Sequence, residues 1–172
     1  MAISDAKFPS SPIGAGAGDM FLKVKGIKGE SQDQAHGGEI DVVRWSWGMQ
    51  ANTALGGGGA SGKATVQELK IVKRVDSAST ALMLALRRNQ VIPEAVLTLR
   101  KAGGIQHEFL KITIKQGHVT SLNIEAGDTG GRPEPFEHVS FSFNEIAVEY
   151  TGQGNDGQPL GSMAFEDRFG TL

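Results

Sequence analysis

Two neighbouring stretches near the start of the chain, residues 20–31 and 39–48, constrain the fold more than any other feature. Both are rich in apolar and β-branched residues, and the second carries Trp45 and Trp47 two positions apart. Successive side chains of a strand point to opposite faces, so the two tryptophans share one face. The two stretches therefore predict a pair of β-strands joined by a polar loop, with the tryptophans in a core or an interface.

Similar strand patterns recur along the rest of the chain, at residues 65–75, 96–100, 109–115, 119–125, 137–151 and about 162–169. One helix is predicted between them, capped by Asp76 or Ser77 and ended before Pro93. Its apolar centre, residues 81–86, points all round the helix axis and needs more than one contact surface. These patterns predict a mainly β fold, an antiparallel β-barrel-like domain with one flanking α-helix.

Turn signals suggest how the later strands connect. Gly103-Gly104 predicts a hairpin between residues 96–100 and 109–115, and Gln116-Gly117 predicts a second tight hairpin. Within residues 137–151 the apolar positions change face near Asn144-Glu145. A β-bulge there would restore one buried face. Alternatively both faces are covered, where the strand passes from a barrel core into a subunit interface.

Composition excludes several classes of function. The 172 residues include no cysteine, which rules out disulfides, thiolate metal sites and a cysteine nucleophile. Seventeen basic and nineteen acidic residues give a net charge of −2, which does not favour nucleic acid or an anionic membrane. No long apolar run and no basic start followed by an apolar segment occur, so neither membrane insertion nor a signal peptide is expected.

Two glycine-rich stretches resemble nucleotide-binding motifs only superficially. Residues 57–63 end in Gly62-Lys63 like a phosphate-binding loop, but Ala64 replaces the metal-binding hydroxyl residue and a strand pattern follows. Residues 152–157 have dinucleotide-loop spacing, but Pro159 and another strand follow instead of a helix. A flexible loop and a turn are the better interpretations.

The remaining polar residues form no recognisable reactive group. The four histidines lack metal-ligand spacing: His36, His107, His118 and His138. Ser31, Asp33 and His36 are the residue types of a hydrolase triad, but they crowd into one polar loop without a nucleophile elbow. We therefore expect no catalytic, cofactor or metal site.

From Asp19 to its end, the chain resembles the Hcp (haemolysin-coregulated protein) family, the ring-shaped tube component of bacterial type VI secretion systems. The resemblance rests on Phe21-Leu-Lys with Gly26-Ile and Gly29-Glu-Ser31, on Trp45-Ser-Trp-Gly48, on Lys101-Ala-Gly-Gly104, and on Phe141-Ser-Phe with Tyr150. It implies one domain, residues 19–172, and residues 1–18 are predicted to be a flexible N-terminal arm.

The resemblance also implies partners and a location. Six protomers would close into a ring, and rings would stack into a hollow tube with a spike protein at its tip. A contractile sheath would expel the tube, with effectors carried in the lumen. The protein would be cytoplasmic until it is secreted through this system.

Three sets of residues follow as candidate sites. The polar loop of residues 28–36 is expected to rim the lumen, with effector contacts from Glu30, Ser31 and Gln32. The long loop of residues 51–64 is suited to reach beyond its own barrel and to stack rings, through Gly56, Gly57, Gly58 and Gly59. Subunit-interface or core positions are Trp45, Trp47, Met83, Leu84 and Tyr150.

A different class of protein is compatible with the same strands: a monomeric or dimeric ligand-binding β-barrel with the tryptophans at its mouth. A hydrolase on a β scaffold is a weaker alternative. A native mass from size exclusion distinguishes a ring from a small barrel.

Overall fold

The computed structural model describes residues 19–51, 64–102, 106–129 and 132–169. The elements in chain order are β1 Met20–Val24, β2 Ile40–Ser46, β3 Met49–Gln50, β4 Thr65–Val66, β5 Leu69–Arg74, α1 Ser79–Arg87, β6 Ile92–Arg100, β7 Glu108–Thr129, β8 Arg132–Ser142, β9 Glu145–Gln153 and β10 Pro159–Arg168. The predicted mainly β class with one helix is confirmed. The predicted arm of residues 1–18 lies outside the described residues.

Six of the strands close into an antiparallel barrel. Going round, β1 pairs with β2, β2 with β5, β5 with β8, β8 with β7, β7 with β6, and β6 with β1. Side chains that are at most 1% exposed fill the interior, among them Leu22, Ile40, Ile71, Leu97, Ile112 and Phe141. The interior is thus a packed core, which argues against the alternative of a ligand-binding barrel.

Strand β7 is 22 residues long and is shared by two parts of the sheet. One edge of its first half pairs with β6, and the opposite edge pairs with β9, while its second half pairs with β8. The predicted hairpin at Gln116-Gly117 is therefore wrong. Gln116 has a φ of 51°, so the strand bends there and continues. A Cβ on Gly117 would collide with the carbonyl oxygen of Ser142, so this close approach of β8 requires glycine.

The change of apolar face near Asn144 marks a break between two strands, and the predicted bulge is wrong. Strand β8 ends at Ser142 and β9 begins at Glu145. The break lets the chain leave its pairing with β5 and β7 for a new pairing with β7 and β10. Strand β10 pairs with β9 and with no other described strand, so residues 145–168 form a hairpin beside the barrel, called here the wing.

Helix α1 packs one stripe on the barrel core. Its Leu82 and Ala85 are at most 1% exposed and belong to the core cluster, whereas Leu84 on the other side is 45% exposed. The predicted side-chain cap is wrong, because the N-cap is Ala78 and carries no capping side chain. Asp76 instead accepts a hydrogen bond from the Ala78 amide at 2.9 Å, within the turn that precedes the helix.

Candidate functional surfaces

One face of the wing is apolar and uncovered. Tyr150 lies opposite Met163, and Val148 lies opposite Phe165, so all four side chains share a face. The same face continues into the barrel interior, because β9 pairs with the inward-facing positions of β7. Tyr150 is 47% exposed and Met163 75% exposed. An exposed apolar face that continues a core is typical of a contact surface.

The opposite face of the same strands is polar and carries charges of alternating sign. Glu94 of β6 lies opposite Lys115 of β7, and Lys115 lies opposite Glu145 of β9. Arg168 of β10 extends the row through an ion pair with Glu145 at 2.7 Å. Opposite charges across neighbouring strands favour each other, so this face stays hydrophilic without accumulating charge of one sign.

The loop between β1 and β2 presents two of its three predicted contact residues outwards. Glu30 and Gln32 are exposed, whereas Ser31 is only 3% exposed. Ser31 is held by its backbone, which donates to the Glu39 carbonyl and accepts from the Gly38 amide, each at 2.9 Å. Ser31 thus lies inside the loop, beneath the exposed pair.

Arg100 fastens this loop to the barrel. Its guanidinium donates to both carboxylate oxygens of Asp33, at 2.6 and 3.1 Å, and to Asp19 at 2.7 Å. It also lies over the Phe21 ring, 5.1 Å from the centroid. The hydrogen bonds from Arg100 lower the pKa of Asp33 to about 2. A two-pronged contact of this kind fixes both distance and orientation, so the loop is held in one conformation.

His36 provides a second attachment for the loop. Its ring stacks on Phe21 at 4.3 Å, and its two nitrogens lie 2.8 Å from Glu39 and 3.0 Å from Glu108. Partial burial raises the pKa of Glu108, but contacts with Lys111 and His36 outweigh it and leave that pKa lowered. Because both nitrogens of His36 face carboxylates, they are not directed at the Ser31 hydroxyl. The hydrolase arrangement is not built.

An ionic cluster with a fully buried Lys73–Glu137 pair at its centre joins α1 to the barrel. Lys73 and Glu137 are both 0% exposed, and the Lys73 Nζ lies 2.6 Å from Glu137 Oε2. The same ammonium contacts Asp76 at 2.7 Å and Ser79 Oγ at 3.1 Å. The Ser79 hydroxyl donates to Glu137 at 2.9 Å. These contacts link β5, β8 and the first residue of α1, and we call the four residues the buried anchor.

The remaining predicted residues lie in different environments. Trp45 and Trp47 are half-buried against the core, and the indole N–H of Trp47 is buried with no acceptor among the described residues. Met83 is half-buried on α1, next to the exposed Leu84. The glycines predicted to stack rings, Gly56 to Gly59, lie outside the described residues.

Sequence reasoning missed both the buried anchor and the contacts of Arg100, and only the buried anchor left a signal in the sequence. Lys73 follows Leu69 and Ile71 at alternate positions, so a charge at an inward position was visible in the pattern. Arg100 lies on the outer face of β6 with Thr98 and is buried by the loop above it. Strand periodicity does not predict that cover.

Neither a metal centre nor a membrane helix is evident in the described part of the chain. No three histidine, aspartate or glutamate side chains there are placed to hold a metal ion together. Within the same ranges, no helix is long and apolar enough to cross a membrane.

Known proteins share both the sequence and the fold. Residues 21–150 match the profile of the family described as type VI secretion system effector, Hcp. The chain is 43% identical over 142 residues to protein hcp1 of Pseudomonas aeruginosa, which covers 81% of this chain and 86% of that protein. Hcp1 of Salmonella typhimurium superposes with a TM-score of 0.72 at 32% identity, covering 89% of this chain and 95% of that one. A type VI secretion effector of Yersinia pestis superposes with a TM-score of 0.71 at 27% identity, covering 87% and 99%.

Proposed function

Because this chain belongs to the Hcp family of type VI secretion tube proteins, we propose that six copies close into a ring and that the rings stack into a tube. The tube is expelled by a contractile sheath behind a spike protein, and it carries effectors in its lumen. The protein acts as a structural subunit rather than an enzyme. It is made in the cytoplasm and leaves the cell as part of the tube.

The observation that carries the proposal is the uncovered apolar face of the wing. Tyr150, Met163 and Phe165 project from a hairpin that has no described strand beyond β10. A free strand edge beside an apolar face is a hazard for a lone protomer, because it can pair with other chains. A ring removes that hazard, since each wing is covered by a different surface of the next protomer in a head-to-tail contact.

The polar face of the same strands is suited to line the lumen. Its row of alternating charges forms a continuous surface that binds water. Such a surface lacks the apolar patches that would trap a passing protein. Tyr150 serves the interface on one side of β9, and Glu145 serves the lumen on the other. This arrangement assigns the two faces of one hairpin to two different tasks.

Effector contact is assigned to the exposed rim of the loop beside β1. Glu30 and Gln32 make the contact, and Ser31 supports the loop from within. A Ser31→Gln substitution has to push a longer side chain outwards between the two exposed residues. We expect unchanged ring mass and weaker retention of a co-expressed effector, measured by co-purification. Wild-type retention of every effector tested would contradict this assignment.

Ring stacking is assigned to the loop of residues 51–64. Deleting Gly56 to Gly59 shortens this connection and leaves the sequence of every described strand unchanged. Single rings should persist while tubes become fewer and shorter in negative-stain images. Unchanged tube length under crowding would contradict the assignment.

The ring itself is tested by a pair of substitutions one residue apart. Met163→Lys places a charge on the apolar face of the wing, whereas Ala164→Lys places the same charge on the polar face opposite Glu149. Light scattering should give six times the protomer mass of 18.2 kDa for the wild type and for Ala164→Lys. Met163→Lys should give smaller species at micromolar concentration. A monomeric wild type, or rings formed equally by both variants, would refute the assignment.

A further inference from the structure

A groove beside the loop is lined by three lysines whose ammonium groups have no described partner. It runs along the end of β1, from Lys23 to Lys28, and is closed on the other side by Ala35 and by Gly37 to Glu39. Its volume is about 510 Å³, within the range of roughly 300–1,000 Å³ common for ligand sites. We call this surface the lysine groove.

The three ammonium groups are free to meet a ligand. Lys23, Lys25 and Lys28 are exposed, and none forms an ion pair with a carboxylate in the described part of the chain. The carboxylate that lines the groove belongs to Glu39, whose Oε2 is already held by His36 at 2.8 Å. The groove is therefore a positive site on a chain whose net charge is −2.

The backbone shapes the groove to accept an extended segment. Gly26 and Gly38 both have positive φ values, of 86° and 74°, which turn the chain at either side of it. Half-buried Ile27 adds an apolar side chain to the lining. Lys23 lies in β1 and Lys25 is the first residue after it, so the two positions are about 7 Å apart at the rise of an extended chain. That is also the spacing of alternate side chains in an extended peptide.

We propose that the lysine groove binds an acidic, extended segment of a cargo protein. The inference rests on the proposed cargo-carrying function, and it names the chemical class of cargo sequence that this loop region selects. Carboxylates at alternate positions of such a segment would face Lys23 and Lys25, while Lys28 meets a third. Lysine is a flexible point charge, so it accepts carboxylates of varied geometry, as a carrier of several cargoes requires.

A peptide rather than nucleic acid is the occupant that the surface favours. Single-stranded nucleic acid binding combines cations with exposed aromatic platforms on which bases stack. None of the residues lining the lysine groove is aromatic. Half-buried Ile27 offers an apolar contact to the side chains that alternate with acidic ones in an extended peptide.

The test uses the full-length protein and a fluorescein-labelled peptide of eight residues in which glutamate and serine alternate. Its affinity is measured by fluorescence anisotropy. We expect saturable binding that weakens as salt rises, since exposed ion pairs are screened. Neutralising the site with Lys23→Gln, Lys25→Gln and Lys28→Gln should weaken binding by about tenfold or more.

A matched variant separates a local site from bulk charge. Arg87→Gln, Arg88→Gln and Lys101→Gln remove the same charge from exposed positions outside the groove and should leave the affinity unchanged. Equal losses in both triple variants, or no binding to the wild type, would overturn the inference. Tighter binding of a single-stranded oligothymidylate than of the peptide would also overturn it, because the site would then select nucleic acid.

Light scattering on the same samples measures the oligomeric mass, so the ring and the peptide site are tested by separate quantities. Peptide binding that depends on the three lysines in a protein that remains monomeric would support the groove and refute the ring. Hexamers that ignore the peptide would refute the groove and leave the ring intact. Loss of tubes without loss of peptide affinity in the lysine variant would assign the groove to ring contacts and overturn the inference.

Discussion

Lys73→Met removes the cation of the buried anchor and should be among the most damaging single substitutions in the barrel. Glu137 would keep one hydrogen bond, from the Ser79 hydroxyl, and its Oε1 already has no partner among the described residues. A buried carboxylate left without its cation costs about 3–5 kcal/mol of unfolding free energy. At about 3 °C for each kcal/mol in a chain of this size, Tm should fall by roughly 10 °C.

Replacing the partner, Glu137, should cost less unfolding free energy, because the two residues have different numbers of other partners in the buried anchor. In Glu137→Met, Lys73 keeps the Asp76 carboxylate at 2.7 Å and the Ser79 hydroxyl at 3.1 Å. The losses are the two hydrogen bonds that Glu137 accepts, from Lys73 and from the Ser79 hydroxyl. They are partly offset because no buried charge is left without a partner and the unpaired Oε1 is removed, so the net cost should be about 1.5–3 kcal/mol. The double variant should be more stable than Lys73→Met alone, since an apolar pair can replace a buried ion pair at little cost.

Equilibrium urea unfolding, followed by the fluorescence of Trp45 and Trp47 at one fixed protein concentration, measures all three variants. Arg74→Met is the matched control. It removes the cation next to Lys73 in β5, whose ion pair with Glu134 is exposed, and should cost less than about 1 kcal/mol of unfolding free energy. A Glu137→Met variant less stable than Lys73→Met, or a double variant less stable than both singles, would refute the reasoning.

Three further predictions concern the loop, the bend in β7 and the glycine-rich segment. Asp33 has a lowered pKa in the folded protein, so its contribution to stability is present above pH ~4 and is lost as pH falls towards 2. The stability difference between wild type and Asp33→Asn, from urea unfolding across that range, should therefore shrink on acidification, and a constant difference would contradict the Arg100 contact. Gly117→Ala should cost about 1–3 kcal/mol in the same assay, because its methyl group meets the Ser142 carbonyl, and a neutral effect would show that the bend yields freely. Lys63→Ala should change neither ATP binding nor single-ring mass, and magnesium-dependent ATP binding lost in this variant would contradict the loop interpretation.

Strand periodicity predicted the barrel because most strands bury one face and therefore alternate. Residues 109–115 show this clearly, with Ile112 and Ile114 at most 1% exposed and Lys115 exposed. Where a strand changes partners, the local pattern misleads. Gln116-Gly117 has the composition of a turn, but β8 and β9 pair along the same edge of β7 on either side of it. Only these tertiary pairings distinguish a bend from a hairpin.

The candidate site was less predictable than the fold. Glu30, Ser31 and Gln32 are adjacent polar residues, and composition alone assigned all three to one exposed rim. Ser31 is buried because the backbone of the loop folds back on Gly38 and Glu39. Burial by a loop depends on long-range contacts such as that of Arg100 with Asp33, which leave no period in the sequence.

The length of β7 has a mechanical consequence. The first half of β7 pairs with β9 of the wing on one edge and with β6 of the barrel on the other, and its second half pairs with β8. A pull on the wing is therefore carried as shear across the hydrogen bonds along β7. Attachment through the connection at residues 143–144 alone would act as a hinge and absorb the displacement. In the proposed tube, load applied at the contact between neighbouring protomers would therefore reach each folded core without deforming the joint between wing and barrel.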